Sequence, residues 1–418
     1  MSISLGSCDP AAVPADVTTF LRPLHEGNMD VRRFRGEKDA EWVPFHNESA
    51  PSVRDMQTTL RAAGFLPTGE ANGILDYRTL SAIRLFQEYV RSVEGLSAIG
   101  APDGLVGPNT AAHLARWKNA GTRVDWANRS PDNAMPAFRY WMLVLAMYQA
   151  YNAQKPVTLI MQKAEAYSRP SDTLKIARWN LDRRAIHLIG VRRQEWRTAQ
   201  VRRNDDVFVL LVNGLAFAFS GSTDANPKQA TRSDEPYLVR GQHQYRFGWH
   251  KREDKNRVYR AFRPVGPGVL VCRDTVNDDA LTDADLANGL DAVGDINIHW
   301  SGAGTGNWSA GCQVIEGTRY LNHRGAVVDC SAFAAPTYGG LGAKTKGAYN
   351  VLLDLITVFS PSNATTGIGL HYTLLYEKDL QLETTPGQNV DQVARMNLPA
   401  AEVEPFTVPQ LVGALVNG

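Results

Sequence analysis

The sequence predicts an α+β protein in which a small three-helix unit is followed by a larger β-rich domain. Three observations lead there. Between residues 53 and 117 apolar side chains recur at helical spacing; from about Lys175 the period shifts to the alternation of strands; and the β-runs beyond it are short, numerous and separated by glycine and asparagine turns, as in a curved mixed sheet. A chain of 418 residues holds two or three domains by the usual size relation. The expected division is an N-terminal arm over 1–50, a helical unit over 51–120, a helical linker over 121–175, the β-rich domain over 176–380 and a C-terminal tail over 381–418.

The arm is mixed in composition, with a charged patch from Arg32 to Glu41 ahead of Trp42 and no firm element. It reads as irregular chain packed on the next domain, or as an export or docking segment. In the helical unit, Val53, Met56, Leu60 and Ala63 mark a first helix that Gly64 ends, and Asp76 caps a second carrying Leu80, Ile83, Phe86 and Val90. Pro108 starts a third, with Leu114 and Trp117 facing inward. Residues 134–152 predict a helix with Phe138, Leu143, Leu145, Ala146 and Tyr151 available for burial, and 168–172 marks a break. Strands are expected at 185–191, 207–212, 216–220, 269–273, 296–299, 313–316 and 370–376.

Composition excludes several classes. A formal net charge of +1 does not suit a dedicated nucleic-acid surface. The most apolar segment, 140–148, falls well short of the ~20 residues that span a bilayer, so no transmembrane segment is expected. The N-terminus has neither a basic start nor a continuous apolar core, so no signal peptide is expected, and the protein reads as made in the cytoplasm. Cys8, Cys272, Cys312 and Cys330 are scattered, with no CxxC pair, which predicts free thiols.

Chemistry concentrates at Ile296-Asn297-Ile298-His299-Trp300-Ser301 and at Asn307-Trp308-Ser309-Ala310-Gly311-Cys312-Gln313. A β-branched run delivers His299; Gly302, Gly304 and Gly306 let the chain turn; a second strand begins just after Cys312. An ordinary thiol is only a few per cent thiolate at neutral pH, and a neighbouring imidazole raises that fraction by taking its proton. Cys312 is therefore the candidate nucleophile and His299 its base. Backbone N–H groups around Gly311 and Cys312 are candidates to receive an oxyanion. The bland alternative is a buried structural cysteine.

The order His, glycine-containing loop, Ser-X-Gly-Cys, short β-run resembles the active-site signature of the L,D-transpeptidases, cysteine enzymes acting on peptidoglycan stem peptides. On that resemblance Cys312 matches the nucleophile, His299 the base, Ser309 the motif serine and Gly311 the glycine before the thiol. Ala310 replaces the family's common second histidine. Val314 stands where arginine is frequent, so any substrate carboxylate needs another cation. A divergent Ser-X-Gly-Cys branch, as in phage proteins and type VI secretion effectors, fits better. Met56-Gln57-Thr58-Thr59-Leu60, Gly64-Phe65, Ala82-Ile83, Phe86-Gln87 and Asp103-Gly104-Leu105-Val106-Gly107 resemble the small peptidoglycan-binding domain. Its pattern is departed from in a longer loop between Arg91 and Asp103.

The resemblance implies a β-rich catalytic fold with the cysteine at a sheet edge under a cleft. It also implies acyl transfer through a thioester on tetrapeptide stems, with no cofactor and no metal. The implied partners are stem peptides and glycan, together with an immunity protein and secretion machinery if the chain is an antibacterial effector exported without a signal to the periplasm or cell wall. Expected substrate contacts are Ser309, Trp300, Trp308, His250, Tyr245 and Arg273, with a structural role for His250 and a structural salt bridge for Arg273 as the alternatives. Asp295, Asn297 or a backbone carbonyl would orient the His299 ring, and the turn 220–224 borders the cleft or is an ordinary loop. Two rivals stay open: a Cys-His peptidoglycan endopeptidase using His323 or His371, and a non-catalytic wall-binding or phage structural protein. A zinc site from His250, His299, Cys272 and Cys312 matches no closed-site spacing.

Overall fold

The computed structural model describes residues 3, 7–9, 46–47, 52–193, 204–226, 234–251, 259–276, 281–304, 306–337, 344–361 and 368–417. The charged patch at 32–41 and Trp42 lie outside them. Helices and strands both contribute, giving an α+β fold.

Strands β1 (Ser7–Cys8) and β2 (His46–Asn47) pair in parallel. The Asp9 carboxylate then accepts the Val53 and Arg54 N–H groups at 2.7 and 3.0 Å, closing the start of α1 (Val53–Ala63). Gly64 ends α1 at φ 95°, and the Asp76 side chain accepts the Thr79 N–H at 2.8 Å to start α2 (Tyr77–Ser92). Pro108 opens α3 (Pro108–Ala120). Phe65, just past α1, meets Phe86, Tyr89, Trp117 and Trp126 at ring-centroid distances of 5.5 to 5.7 Å, so one aromatic cluster holds the three helices together.

The segment expected as a linker is instead part of the core. In α4 (Pro136–Gln154) the buried stripe is Phe138, Trp141, Val144, Leu145 and Tyr148, while Leu143 is exposed. That stripe joins Ile189, Val207 and Val209 of the sheet in a single apolar cluster. A short α5 (Leu159–Ala166) follows.

The β-rich part begins with β3 (His187–Arg192), β4 (Asp206–Val212) and β5 (Leu215–Ser222). Next come β6 (Pro236–Leu238), β7 (Gly241–His250), β8 (Tyr259–Pro264) and β9 (Val269–Arg273). After α6 (Asp283–Ala287) the chain runs through β10 (Asp291–Val293), β11 (Ile298–Trp300), β12 (Gln313–Leu321) and β13 (Val327–Asp329). Then follow α7 (Ala348–Phe359) and β14 (Leu370–Tyr376). The C-terminal segment adds the hairpin β15 (Glu383–Thr385) and β16 (Gln388–Asn389), then α8 (Val390–Arg395), α9 (Ala400–Val403) and α10 (Val408–Leu415). It is no loose tail, because Leu411, Val412 and Leu415 enter the same apolar cluster as α4.

The main sheet runs β11-β8-β7-β14-β3-β4-β5-β12-β13, and β11 also pairs with β12, which closes it into a ring. Strands β6, β9 and β10 form a separate three-stranded sheet. Among the described residues two seams of the ring are parallel, β11 with β12 and β14 with β3, and the other pairings are antiparallel. Closure corrects the expected sheet edge, since the strand that follows Cys312 has neighbours on both sides. Side-chain alternation builds two cores: Phe208 and Leu210 of β4 face the cluster containing α7, and Val207 and Val209 face the one containing α4.

The helical unit docks on α7. The Arg84 guanidinium pairs with Asp354, Nε to Oδ2 at 2.8 Å, Thr68 Oγ1 donates to Val358 O at 2.7 Å, and the Tyr320 hydroxyl donates to Glu88 at 3.1 Å. One apolar cluster runs through unit and sheet without a break. No described helix is long and apolar enough to cross a membrane.

Candidate active site

The parallel seam of β11 and β12 sets the site. His299 lies beside Val314 in register, and the Gln313 N–H donates to Asn297 O at 2.9 Å, which carries the pairing back to Cys312. Residues 297, 299 and 312 therefore share one face of the sheet. Two residues of rise and one strand spacing put the His299 and Cys312 backbones ~8 Å apart. Both side chains line a cavity of about 320 Å³ together with His250, Lys251 and Trp308.

A dense polar web fixes the loop between them. Asn204 Nδ2 donates to Gly304 O and Gly306 O at 2.9 and 3.0 Å, and Asn307 Nδ2 donates to Ser222 Oγ and Asp224 O at 2.9 and 2.7 Å. The turn around 222–224 thus anchors the loop. The Ser309 hydroxyl donates to Cys312 O at 2.8 Å and accepts the Gly311 N–H at 3.1 Å, so the motif serine, which also lines the cavity, shapes the turn at the thiol from a buried position. Gly311 sits at φ 139°, and a Cβ there would lie 2.5 Å from Pro236 Cγ. Both the backbone conformation and the space require glycine. With the Gly311 N–H engaged by Ser309, the Cys312 N–H has no partner among the described residues and is the candidate oxyanion donor at the thiol.

The imidazole is held from behind. His299 Nδ1 lies 2.8 Å from Trp300 O and 3.1 Å from the Tyr259 hydroxyl, which itself donates to Trp300 O at 3.2 Å. A carbonyl only accepts, so Nδ1 carries the proton and Nε2 presents a lone pair. The ring is thus oriented by a backbone carbonyl and by Tyr259, a residue the sequence reading passed over although Tyr259, Arg260, Ala261 and Phe262 carry a strand-like alternation. Asp295 instead pairs with Arg263 at 2.6 Å. His250 stacks on His299 with ring centroids 3.8 Å apart and planes at 18°, and its Nδ1 lies 3.2 Å from Asn297 Nδ2.

The thiol donates to Asp295 O and accepts from the Asn297 N–H, each at 3.3 Å. It makes no hydrogen bond to His299. Burial pushes the Cys312 thiol up to about 11, an effect the Asn297 N–H partly offsets. Burial likewise lowers His299 to about 4, against the Trp300 hydrogen bond, and pushes His250 well below the usual imidazole range. The resting pair is consequently a neutral thiol and a neutral imidazole, not the preformed ion pair expected from proximity alone. A neutral, fixed imidazole is competent as a general base at the moment of attack.

Other expected contacts fall elsewhere. Tyr245 is fully buried with its hydroxyl donating to Ile296 O at 3.0 Å, a prop beneath the strand and not part of the cavity wall. Arg273, on the separate sheet, pairs with Asp291 at 2.9 Å and Asp234 at 3.4 Å and does not reach the cavity. Trp300 contributes to the wall while its ring is buried against Tyr259, whereas Trp308 is 47% exposed at the rim. His323 bonds Asp125 at 2.9 Å, and His371 Nε2 lies 2.8 Å from Asn180 Nδ2; neither lines the cavity. Cys272, the fourth zinc-ligand candidate, is buried on β9, outside the cavity that holds the other three. Cys272, Cys312 and Cys330 are free thiols. Set against this geometry, comparison of the chain with family models, curated proteins and solved structures finds no match.

Proposed function

We propose that this chain is a peptidoglycan-modifying cysteine acyl-transferase of the L,D-transpeptidase kind, acting on tetrapeptide stems through a thioester. The observation that carries the reading is that Cys312, just before β12, and a tautomer-fixed His299 on the adjacent parallel strand open onto one cavity, with the Cys312 N–H unengaged among the described residues. In the proposed cycle Sγ attacks the carbonyl carbon of the third stem residue as His299 Nε2 takes the thiol proton. The tetrahedral oxyanion is received at the Cys312 N–H. Collapse breaks the C–N bond, and the imidazolium returns its proton to the departing D-alanine amine. An amine acceptor then gives transpeptidation or D-amino-acid exchange, and water gives L,D-carboxypeptidase action, so the enzyme is a transferase or a hydrolase according to what enters the cavity.

The helical unit, with its resemblance to a peptidoglycan-binding domain, is proposed to add glycan attachment. Because α2 is fused to α7 through Arg84 and Asp354, it would present the wall to the cavity as one rigid body. The proposed setting is delivery to the wall as an antibacterial effector, with an immunity protein guarding the producer. Incubating purified sacculi with the native chain and with Cys312→Ala, followed by muropeptide mass analysis, tests this. Products dependent on Cys312 are expected; identical muropeptides from both proteins would refute it.

One observation favours the second reading, a non-catalytic wall-binding or particle protein: the thiol is pushed up to about 11. A purely structural thiol is alkylated at the same rate in native protein and in His299→Ala, whereas a base-assisted one slows in the variant.

A further inference from the structure

Acyl transfer on a peptide with a free end leaves a carboxylate to be accommodated close to the reacting nitrogen, and the motif supplies no cation for it, since Gln313 and Val314 follow Cys312. Arg273 is paired with Asp291 and Asp234 away from the cavity, and Arg263 is paired with Asp295. Lys251 is different. It is the one charged side chain among the described residues lining the cavity of His250, His299 and Cys312, it is exposed, and it has no hydrogen bond or ion pair among the described residues. Its backbone stands at φ 56°, a conformation uncommon for a long side chain, directly after β7 ends at His250. The left-handed turn takes Lys251 out of the strand line at the cavity mouth.

We propose that Lys251 receives the terminal carboxylate of the departing residue and so makes the enzyme exo-acting, removing one C-terminal residue in preference to cutting an internal amide. This rests on the acyl-transfer reading above. The logic is positional. When the Sγ–C bond forms and the C–N bond breaks, the thiol proton passes through His299 Nε2 to the leaving nitrogen; in a terminal amino acid the carboxylate is two bonds from that nitrogen. A cation sharing the wall with His299 is therefore on the leaving-group side of the thiol. The positive charge of Lys251 is among the influences that hold His299 and His250 low and oppose the rise at Cys312, which places it within electrostatic reach of all three. An internal amide offers no carboxylate there.

The test compares two synthetic tetrapeptides, one ending in free D-alanine and one in D-alanine amide, with native protein, Lys251→Gly, Lys251→Arg and Lys251→Glu. Glycine is the informative truncation because it adopts the same left-handed backbone without strain. Native protein is expected to prefer the carboxylate by at least about ten-fold in kcat/KM. Lys251→Gly should lose that preference mainly through KM, Lys251→Arg should keep it, and Lys251→Glu should reverse it. Equal use of both peptides by native protein, or an undiminished preference in Lys251→Gly, overturns the proposal while leaving the acyl-transfer reading standing. If native protein turns over neither peptide nor sacculi, the acyl-transfer reading fails and the proposal with it.

Discussion

The ring of strands has two parallel seams, and each holds histidine. At β14 and β3, His371 and His187 sit opposite one another in register with rings 5.8 Å apart; at β11 and β12, His299 lies near Cys312. Burial lowers all three imidazoles, His299 and His371 to about 4, so desolvation does not distinguish the seams. What differs is which nitrogen is tied and what lies beyond it. His187 Nε2 is held by Asp182 O at 2.8 Å, and His371 Nε2 faces Asn180 at 2.8 Å, whereas His299 is anchored through Nδ1 and leaves Nε2 toward a cavity that also holds a thiol. A perturbed histidine is common in a closed sheet. A histidine on a cavity shared with a thiol is what makes a candidate site.

The largest expected contrast follows directly. Cys312→Ala should remove acyl transfer altogether, and His299→Ala should lower kcat/KM by roughly 10²–10⁴. His371→Gln should change activity per folded molecule by less than about three-fold, because that ring lies outside the cavity. Steady-state kinetics on tetrapeptide decides it. Loss at His371 with retention at His299 would reverse the assignment of the two seams.

Acid stability tests what the seams share. His299 and His371 are held at about 4 and His243 at about 3, against an unfolded value near 6.5, so the folded state resists their protonation. The stability they contribute is complete above about pH 6.5 and is lost as pH falls toward 4 and then 3, on the order of several kcal/mol in all. Denaturant midpoints should fall over that window. A midpoint flat down to pH 4 would contradict the buried neutral rings.

Gly311→Ala sharpens the contrast at the thiol. Forcing a Cβ into φ 139° beside Pro236 moves the Cys312 turn, and a shift of about 1 Å at a nucleophile costs roughly 10²-fold in rate. Alanine at Gly306, where the nearest atom to the added Cβ is Trp308 Nε1 at 3.3 Å, should cost far less.

Sequence patterns located the helical unit and the strands whose alternation or continuous apolar runs are strong. Gly64, Asp76 and Pro108 marked boundaries through backbone chemistry that is local by nature. The seven expected strands all appear, with ends moved by up to five residues. Strand β7 gave no clear signal because Gly241–His250 mixes glycine, glutamine, histidine and arginine, and its burial comes from neighbours far along the chain, whereas the alternation at the start of β8 is only four residues long. That Cys312 and His299 come to one cavity was legible from their order and the glycine loop between them, whereas Tyr259 reaches the His299 ring, and Lys251 the cavity, only through ring closure. Arg273 and Tyr245 were placed at the site for their residue types, yet an ion pair and a backbone prop claim them. Nothing local distinguishes a substrate-facing guanidinium from a structural one.

The smallest expected effect isolates how the free nitrogen is presented. The Tyr259 hydroxyl and Trp300 O both lie within hydrogen-bond distance of His299 Nδ1, so Tyr259→Phe removes one of two partners and keeps the ring oriented by the carbonyl. In the proposed cycle, when His299 accepts the thiol proton its Nδ1–H becomes a stronger donor, and the missing phenol oxygen then leaves the imidazolium less stabilised. The plateau rate should fall about 3- to 10-fold. The acid limb, set in native protein by a ring held at about 4, should move to still lower pH, because the cation loses support that the neutral ring needs less. A pH–rate profile between pH 3 and 8 reads both quantities at once. A limb moving upward would mean that the tyrosine opposes the charge, and a drop beyond about 100-fold would mean that the phenol takes part in the chemistry itself.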